Sequence, residues 1–129
     1  MRVERELMRG AGPVAVLKLL EARGEMYGYE LVEALSRQSN GVLAMGQSTL
    51  YPLLYNLQAK GLVKAHWRSS AGAEGGRDRK YYALTERGRG RLAAETRQWN
   101  ALTKAMAGLG VVDGSSVATA AITAKGAGA

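Results

Sequence analysis

The stretch Ser48-Thr49-Leu50-Tyr51-Pro52-Leu53-Leu54-Tyr55-Asn56-Leu57, closed by Gly61 and followed by Leu62-Val63-Lys64-Ala65-His66-Trp67-Arg68, decides how the chain is read. Leu50, Leu54 and Leu57 recur at i, i+4 and i+7 with Leu53 beside them, which is one apolar face of a helix. Proline lacks the N–H that a helix interior needs, so Pro52 belongs in the first turn. The spacing therefore predicts a short helix of about three turns, with Ser48 or Thr49 as the N-cap whose hydroxyl satisfies an orphan backbone donor. Past Gly61 the period drops from helical to alternating. Val63, Ala65 and Trp67 interleave with Lys64, His66 and Arg68, as on a strand with one wet face. Arg79-Lys80-Tyr81-Tyr82-Ala83-Leu84 reads as its partner strand. Tyr81 and Tyr82 then point to opposite faces, one toward the core and one outward, in an order the pattern leaves open. Ser69 to Asp78, rich in Ser, Ala and Gly, suits a flexible hairpin tip.

Working upstream, Tyr27 to Gln38 is amphipathic, with Tyr27, Leu31, Ala34 and Leu35 inward and Asn40-Gly41 as its stop. Tyr27 is expected to pack this helix against the next one. Val16, Leu17 and Leu20 mark an earlier helix from Val14 to Ala22, ended by Gly24. Gly10, Gly12 and Pro13 separate it from a short helical arm at Met1 to Arg9 that carries Val3 and Leu7. Downstream, Thr85 caps a last long helix to about Leu109, with Glu86 favourably placed in its first turn. Leu92, Trp99 and Met106 fall seven apart and Leu102 and Leu109 fill the alternate seam. Such a stripe on a terminal helix suggests a partner helix, although Glu95 and Thr96 interrupt a perfect zipper. Asp113 to Ala129 is Gly, Ala, Ser and Thr with little to bury, and is expected to be a disordered tail. The expected organisation is an arm at 1–9, a compact domain at 10–84, a C-terminal dimerisation helix at 85–110 and a tail at 111–129.

Three helices followed by a hairpin make a mainly α chain with a β-hairpin wing (α+β), a winged helix-turn-helix. In that arrangement the third helix enters a major groove about 12 Å wide with its leucines turned back onto the other two. At about 100° per residue its outward positions are Ser48, Pro52, Tyr55 and Ala59, flanked by Thr49, Tyr51 and Asn56, with Gln47 just ahead. Hydroxyls, a carboxamide and phenols suit phosphate and base-edge contacts, and Tyr29 is placed to touch phosphate. Arg77, Arg79 and Lys80 on the wing can reach backbone or minor groove. Their bland alternative is a solvated hairpin tip.

Charge points the same way. The 129-residue chain carries 18 Lys and Arg against 11 Asp and Glu, a net charge of +7. Between Lys60 and Lys104 the count is 11 basic to 4 acidic, so the whole excess lies there and the remainder balances at 7 of each. A clustered excess is the footprint of a polyanion partner, beside the plainer reading of solubilising charge. With no Cys, thiolate chemistry and Cys-based zinc sites are excluded, and one His, His66, cannot build a multi-His metal site. His66 is expected to face solvent. No nucleophile–base pair, phosphate loop or ligand set is evident, so no catalytic residue, cofactor or metal is expected and the chain does not read as an enzyme. Neither a membrane-length apolar run nor a signal sequence is present, which implies a soluble, cytoplasmic protein with no membrane partner.

These motifs together resemble the PadR family, whose name comes from the phenolic acid decarboxylase regulator. The resemblance rests on Tyr27-Gly28-Tyr29-Glu30-Leu31, on Ser48-Thr49-Leu50-Tyr51-Pro52-Leu53-Leu54, on Leu57 through Gly61-Leu62-Val63, and on Gly75-Gly76-Arg77 with Arg79-Lys80-Tyr81-Tyr82 and Leu84-Thr85. It covers about residues 10–106. It implies a winged helix-turn-helix regulator, dimeric through its C-terminal helix, usually a repressor released by a small effector. Short members with a single C-terminal helix include multidrug-responsive regulators. Asn56 and Gln58 depart from the family pattern, where basic and acidic residues are more usual, and the Ala/Gly tail lies outside it.

The function expected is therefore a homodimeric repressor of a pseudo-palindromic double-stranded operator, relieved by a small aromatic, phenolic or drug-like effector. Leu92, Trp99, Leu102 and Met106 are expected to line the dimer and effector groove. Trp99 has two readings, a seam tryptophan by its heptad position or a platform for a planar effector, as the resemblance to multidrug-responsive relatives implies. The alternative function, from another class, is a winged-helix protein-interaction module without specific DNA binding.

Overall fold

Leucine placement organises the molecule. In the computed structural model, which describes residues 1–69 and 78–113, Val16, Leu17, Leu20, Leu31, Leu50 and Leu54 are the largest wholly enclosed side chains. They come from three successive helices: α1 (Arg5–Arg23), α2 (Gly28–Gln38) and α3 (Gln47–Ala59). A three-stranded antiparallel sheet completes this unit, with β1 (Met26–Tyr27), β2 (Val63–Ser69) and β3 (Asp78–Leu84) in the order β1-β3-β2. The hairpin register runs from Val63 opposite Leu84 to Ser69 opposite Asp78, and Met26 and Tyr27 pair with Tyr82 and Tyr81. The last helix, α4 (Glu86–Gly108), begins in this compact unit, which ends at Leu92; the second unit starts at Ala93. The architecture is the winged helix-turn-helix expected from the residue pattern.

Four local expectations need correcting. The N-terminal arm is not a separate helix, because α1 runs unbroken through Gly10, Gly12 and Pro13. Pro13 forfeits one backbone bond, to the carbonyl of Arg9, but Arg9 is exposed and water can satisfy that group. Continuity is favoured because Gly12 is buried, with room for a side-chain atom only 3.1 Å from Leu53 Cδ1, and Met8 packs on the core. Second, α3 starts earlier than predicted. Gly46 is its N-cap, with its carbonyl accepting the N–H groups of Thr49 and Leu50 at 3.1 and 3.0 Å, so Ser48 and Thr49 lie inside the first turn. Pro52 sits one turn in, at the cost of a bond to the exposed Ser48 carbonyl. Third, α2 begins at Gly28, not Tyr27, which belongs with Met26 to β1, a strand too short to show any period. Fourth, Trp67 shares a strand face with Val63 and Ala65 but is 66% exposed, because β2 has left the core by that point.

The turns between elements are tight. After α3, Gly61 adopts φ +75°, Leu62 N–H donates to Leu57 carbonyl at 2.9 Å and Gly61 N–H to Gln58 carbonyl at 2.9 Å. This is a Schellman stop, with buried Leu57 and Leu62 as its apolar pair. Thr85 caps α4 as predicted: its Oγ1 accepts the N–H of Gly88 at 3.0 Å and donates to the Gly61 carbonyl at 2.7 Å. Gly88 is required there, since a Cβ would fall 2.0 Å from the Leu62 carbonyl oxygen.

In the second unit α4 continues to Gly108 and closes on another Schellman turn. Gly110 has φ +83° and Val111 N–H reaches Met106 carbonyl at 2.9 Å. The expected tail from residue 114 onward, the hairpin tip at residues 70–77 and, with it, Arg77 lie outside the described residues.

Candidate nucleic-acid interface

Helix α3 turns Leu50, Leu54 and Leu57 inward and leaves Gln47, Ser48, Thr49, Tyr51, Pro52, Tyr55 and Asn56 exposed, as the wheel predicted. These side chains do not form one uniform surface. Ser48 and Tyr55, the latter 72% exposed, occupy the side facing away from the leucines. Thr49, Pro52 and Asn56 border an apolar trough of about 470 Å³ floored by Met8, Met45 and Leu53 and rimmed by Arg5, Arg9 and Lys60. Tyr51 leans the other way, over Gly28 at the start of α2. Tyr29, one residue further along α2, is 54% exposed. No acidic residue lies on α3.

On the wing, the outward face of the sheet is a row of rings. Tyr27 meets Tyr81 edge-on at 5.5 Å, and Tyr81 stacks beside His66 at 6.4 Å. Arg79 lies over Tyr27 at 4.6 Å and Arg68 over Tyr81 at 4.7 Å, so two guanidinium groups cover two phenol faces. Lys80, on the opposite face of β3, lies between Trp67 and Tyr82 at 5.9 and 5.8 Å. Arg79 and Lys80 thus flank the strand leading to the tip from both sides, each within reach of an aromatic surface.

One acid organises this face. Glu25, in the link from α1 to β1, accepts from His66 Nε2 at 2.6 Å and from Arg68 Nη1 at 3.0 Å. His66 is exposed, as expected, and it also engages Glu25. Tyr27 meets the hairpin at Tyr81, and its N–H donates to Glu30 Oε1 at 3.1 Å. Sequence gave no signal for Glu25, because its partners lie some forty positions away and only strand pairing brings them near. Tyr82 is the inward member of the tyrosine pair at 4% exposure. Burial, and secondarily the phenol of Tyr51, hold its pKa above the usual 10.0.

The C-terminal residues divide between the two units. Leu92 is 2% exposed and belongs to the leucine core, so it does not line a groove on α4; it corrects the expected set, having satisfied the heptad while serving the domain core. In the second unit Trp99 is 37% exposed and Leu102 49%, with Met106 half-buried and Leu109 open. Among the described residues no cluster of three or more His, Cys, Asp or Glu could hold a metal ion, and no helix is long and apolar enough to cross a membrane.

Comparison with known proteins places this geometry. Residues 16–94 match the Transcriptional regulator PadR-like family. A crystal structure of a PadR-family transcriptional regulator from Eggerthella lenta is 34% identical, with 81% of this chain and 85% of that one covered at a TM-score of 0.68. An uncharacterised protein of Lysinibacillus sphaericus is 28% identical over 75% of this chain and 85% of its own length. Bacillus subtilis PadR, in complex with operator DNA, is similar in fold at 24% identity and a TM-score of 0.57, over 65% of this chain and 45% of that one.

Proposed function

The chain belongs to the PadR-like family of transcriptional regulators, and from that premise we propose that it binds double-stranded DNA as a homodimer and represses transcription in the cytoplasm. The observation that carries this reading is a helix with a leucine back, an acid-free outward face and a cationic strand beside it. Ser48, Tyr55 and Gln47 are the groups assigned to the floor of the groove. Thr49, Pro52 and Asn56 lie at its α1-side edge, and Tyr29 contacts phosphate at the start of α2. Arg79 and Lys80, together with Arg77, take the neighbouring backbone or minor groove.

Dimer formation is supported by apolar surface left uncovered in each unit. The winged domain carries the trough beside α1, and α4 carries Trp99, Leu102 and Met106. Two recognition helices about 34 Å apart would meet successive major grooves of a pseudo-palindromic operator. An aromatic effector bound at Trp99 relieves repression only if it favours a dimer whose helix spacing mismatches the operator. Quenching of Trp99 fluorescence by planar phenolics, with Trp67 replaced to remove its signal, is the expected signature.

Operator selection from a random duplex pool tests the whole reading. The recovered sequence should be a repeated half-site, and binding should weaken with salt at a log–log slope of about −0.9 per phosphate neutralised. Recovery of no preferred sequence at physiological salt would instead favour a protein-interaction module.

A further inference from the structure

The two flanks of α3 are unlike. Toward α1, Thr49, Pro52 and Asn56 border the open trough, on whose floor Leu53 reaches the space beside Gly12. Toward α2 the side chain of Tyr51 reaches across to the start of that helix. Its phenol lies so close to the first residue of α2 that a Cβ built on Gly28 would stand 2.6 Å from Oη, 3.0 Å from Cζ and 3.1 Å from Cε1. With the hydroxyl oxygen and two ring carbons inside or at the limit of van der Waals approach to that Cβ position, the ring rests on bare backbone.

Gly28 is not there for its own conformation. It is absent from the residues with positive φ, and it occupies an ordinary helical position where glycine is a poor choice. What the position lacks is a Cβ, and what fills that space is Tyr51. Tyr82 stands near the centre of β3, paired with Met26 and Ala65. The influence of Tyr51 on the Tyr82 hydroxyl places the two phenols near each other. Tyr51 thus meets the backbone of α2 at its first residue, while Leu50 and Leu54 behind it pack into the shared core.

Resting on the DNA-binding reading above, we propose that Tyr51 is a positioning residue and Gly28 its socket. Together they set the angle of α3 about its axis, so that Ser48 and Tyr55 face the base edges, and Tyr51 does not itself read a base. The hydroxyl end of Tyr51 is directed at Gly28, which is why a residue on the exposed part of the helix is unsuited to the groove floor. Any side chain at position 28 would push the ring out and let the helix rotate toward the trough.

A double-mutant cycle on the full-length protein tests this with the selected operator and a random duplex as probes, at a temperature where circular dichroism shows every variant folded. Gly28→Ala should cut operator affinity by about tenfold and leave random-duplex affinity within about twofold. In a Tyr51→Ala background, Gly28→Ala should cost nothing further, since no ring remains to displace. Repeating the operator selection on Tyr51→Ala should return the wild-type bases with weaker enrichment. Equal cost of Gly28→Ala with and without Tyr51 would overturn the proposal, as would a changed base in the sequence selected by Tyr51→Ala. If Gly28→Ala does not fold, the Tyr51→Ala selection decides alone: the same bases support the positioning role and a changed base overturns it. A wild-type protein that prefers no duplex removes the DNA reading and this role together. An additive cycle in a protein that does bind removes only this role.

Discussion

Helix α3 and the β2–β3 hairpin belong to one small domain, yet they are held by different forces. Along α3 the inward residues Leu50, Leu54 and Leu57 stay at 0 to 4% exposure to the last turn. Along β2 the inward face goes from Val63, buried, through half-buried Ala65 to exposed Trp67 within five residues. Past that point the hairpin depends on Glu25, which bridges to His66 and Arg68, and on guanidinium groups stacked over Tyr27 and Tyr81. Burial is insensitive to salt, whereas ion pairs at this exposure are screened and individually weak. The contrast implies a helix held by burial beside a hairpin held by contacts that salt can weaken.

The strongest way to break that contrast is to hollow the leucine back. Leu54→Ala should cost about 2–5 kcal/mol in denaturant unfolding, because a wholly enclosed side chain leaves a cavity among packed neighbours. A cost well under that range would mean that α3 is not held by burial. Thr85→Ala probes the joint between the two regions, since one hydroxyl caps α4 and binds the carbonyl of Gly61 at the end of α3. It should cost about 1 kcal/mol, read the same way, and no loss would show that water replaces both bonds. Smaller again is Glu25→Gln, which should cost about 0–1 kcal/mol at low salt and nothing measurable near 1 M. A salt-independent loss would make the clamp more than a screened surface pair.

The finest distinction lies at Tyr82, where sheet and helix meet. Its pKa in the folded chain lies above the unfolded 10.0, so its contribution is complete below pH 10 and is lost as pH rises through the folded value. Tyr82→Phe should therefore leave stability near neutrality within about 1 kcal/mol and reduce the extra loss above pH 10. An identical alkaline profile for both proteins would contradict the burial assigned to this phenol.

The reading of the sequence succeeded where a pattern is carried by consecutive residues. Leu50, Leu54 and Leu57 identify a helix face because they recur within one element, and Val63 to Arg68 show a strand by alternation. The stops at Gly24, Asn40-Gly41 and Gly61 follow from their local backbone, which the structure bears out with positive φ at each glycine. Reading failed where the deciding contact is distant. Pro13 suggests a break, but Gly12 against Leu53 and Met45 keeps α1 whole. Ser48 has the chemistry of a cap, while Gly46 holds that position. Leu92 fits the heptad with Trp99 and Met106, yet the core of the winged domain takes it first. The exposure of Trp67 could not be read from alternation, since period alone says which face a residue occupies and not how far the core extends beneath it.

By itself, then, the order of residues determined the succession of three helices, a hairpin and a long helix, the leucine face of α3, and a cationic excess in the C-terminal half. Those are consequences of side-chain period, local backbone preference and charge, all of which act within a few positions. Only the tertiary structure decided that Glu25 clamps the hairpin, that Tyr82 rather than Tyr81 is inward, and that Tyr51 is seated on Gly28 at the end of another helix. Each of these depends on which surfaces meet when separate elements pack, and the shape of the space between them is written in no single segment.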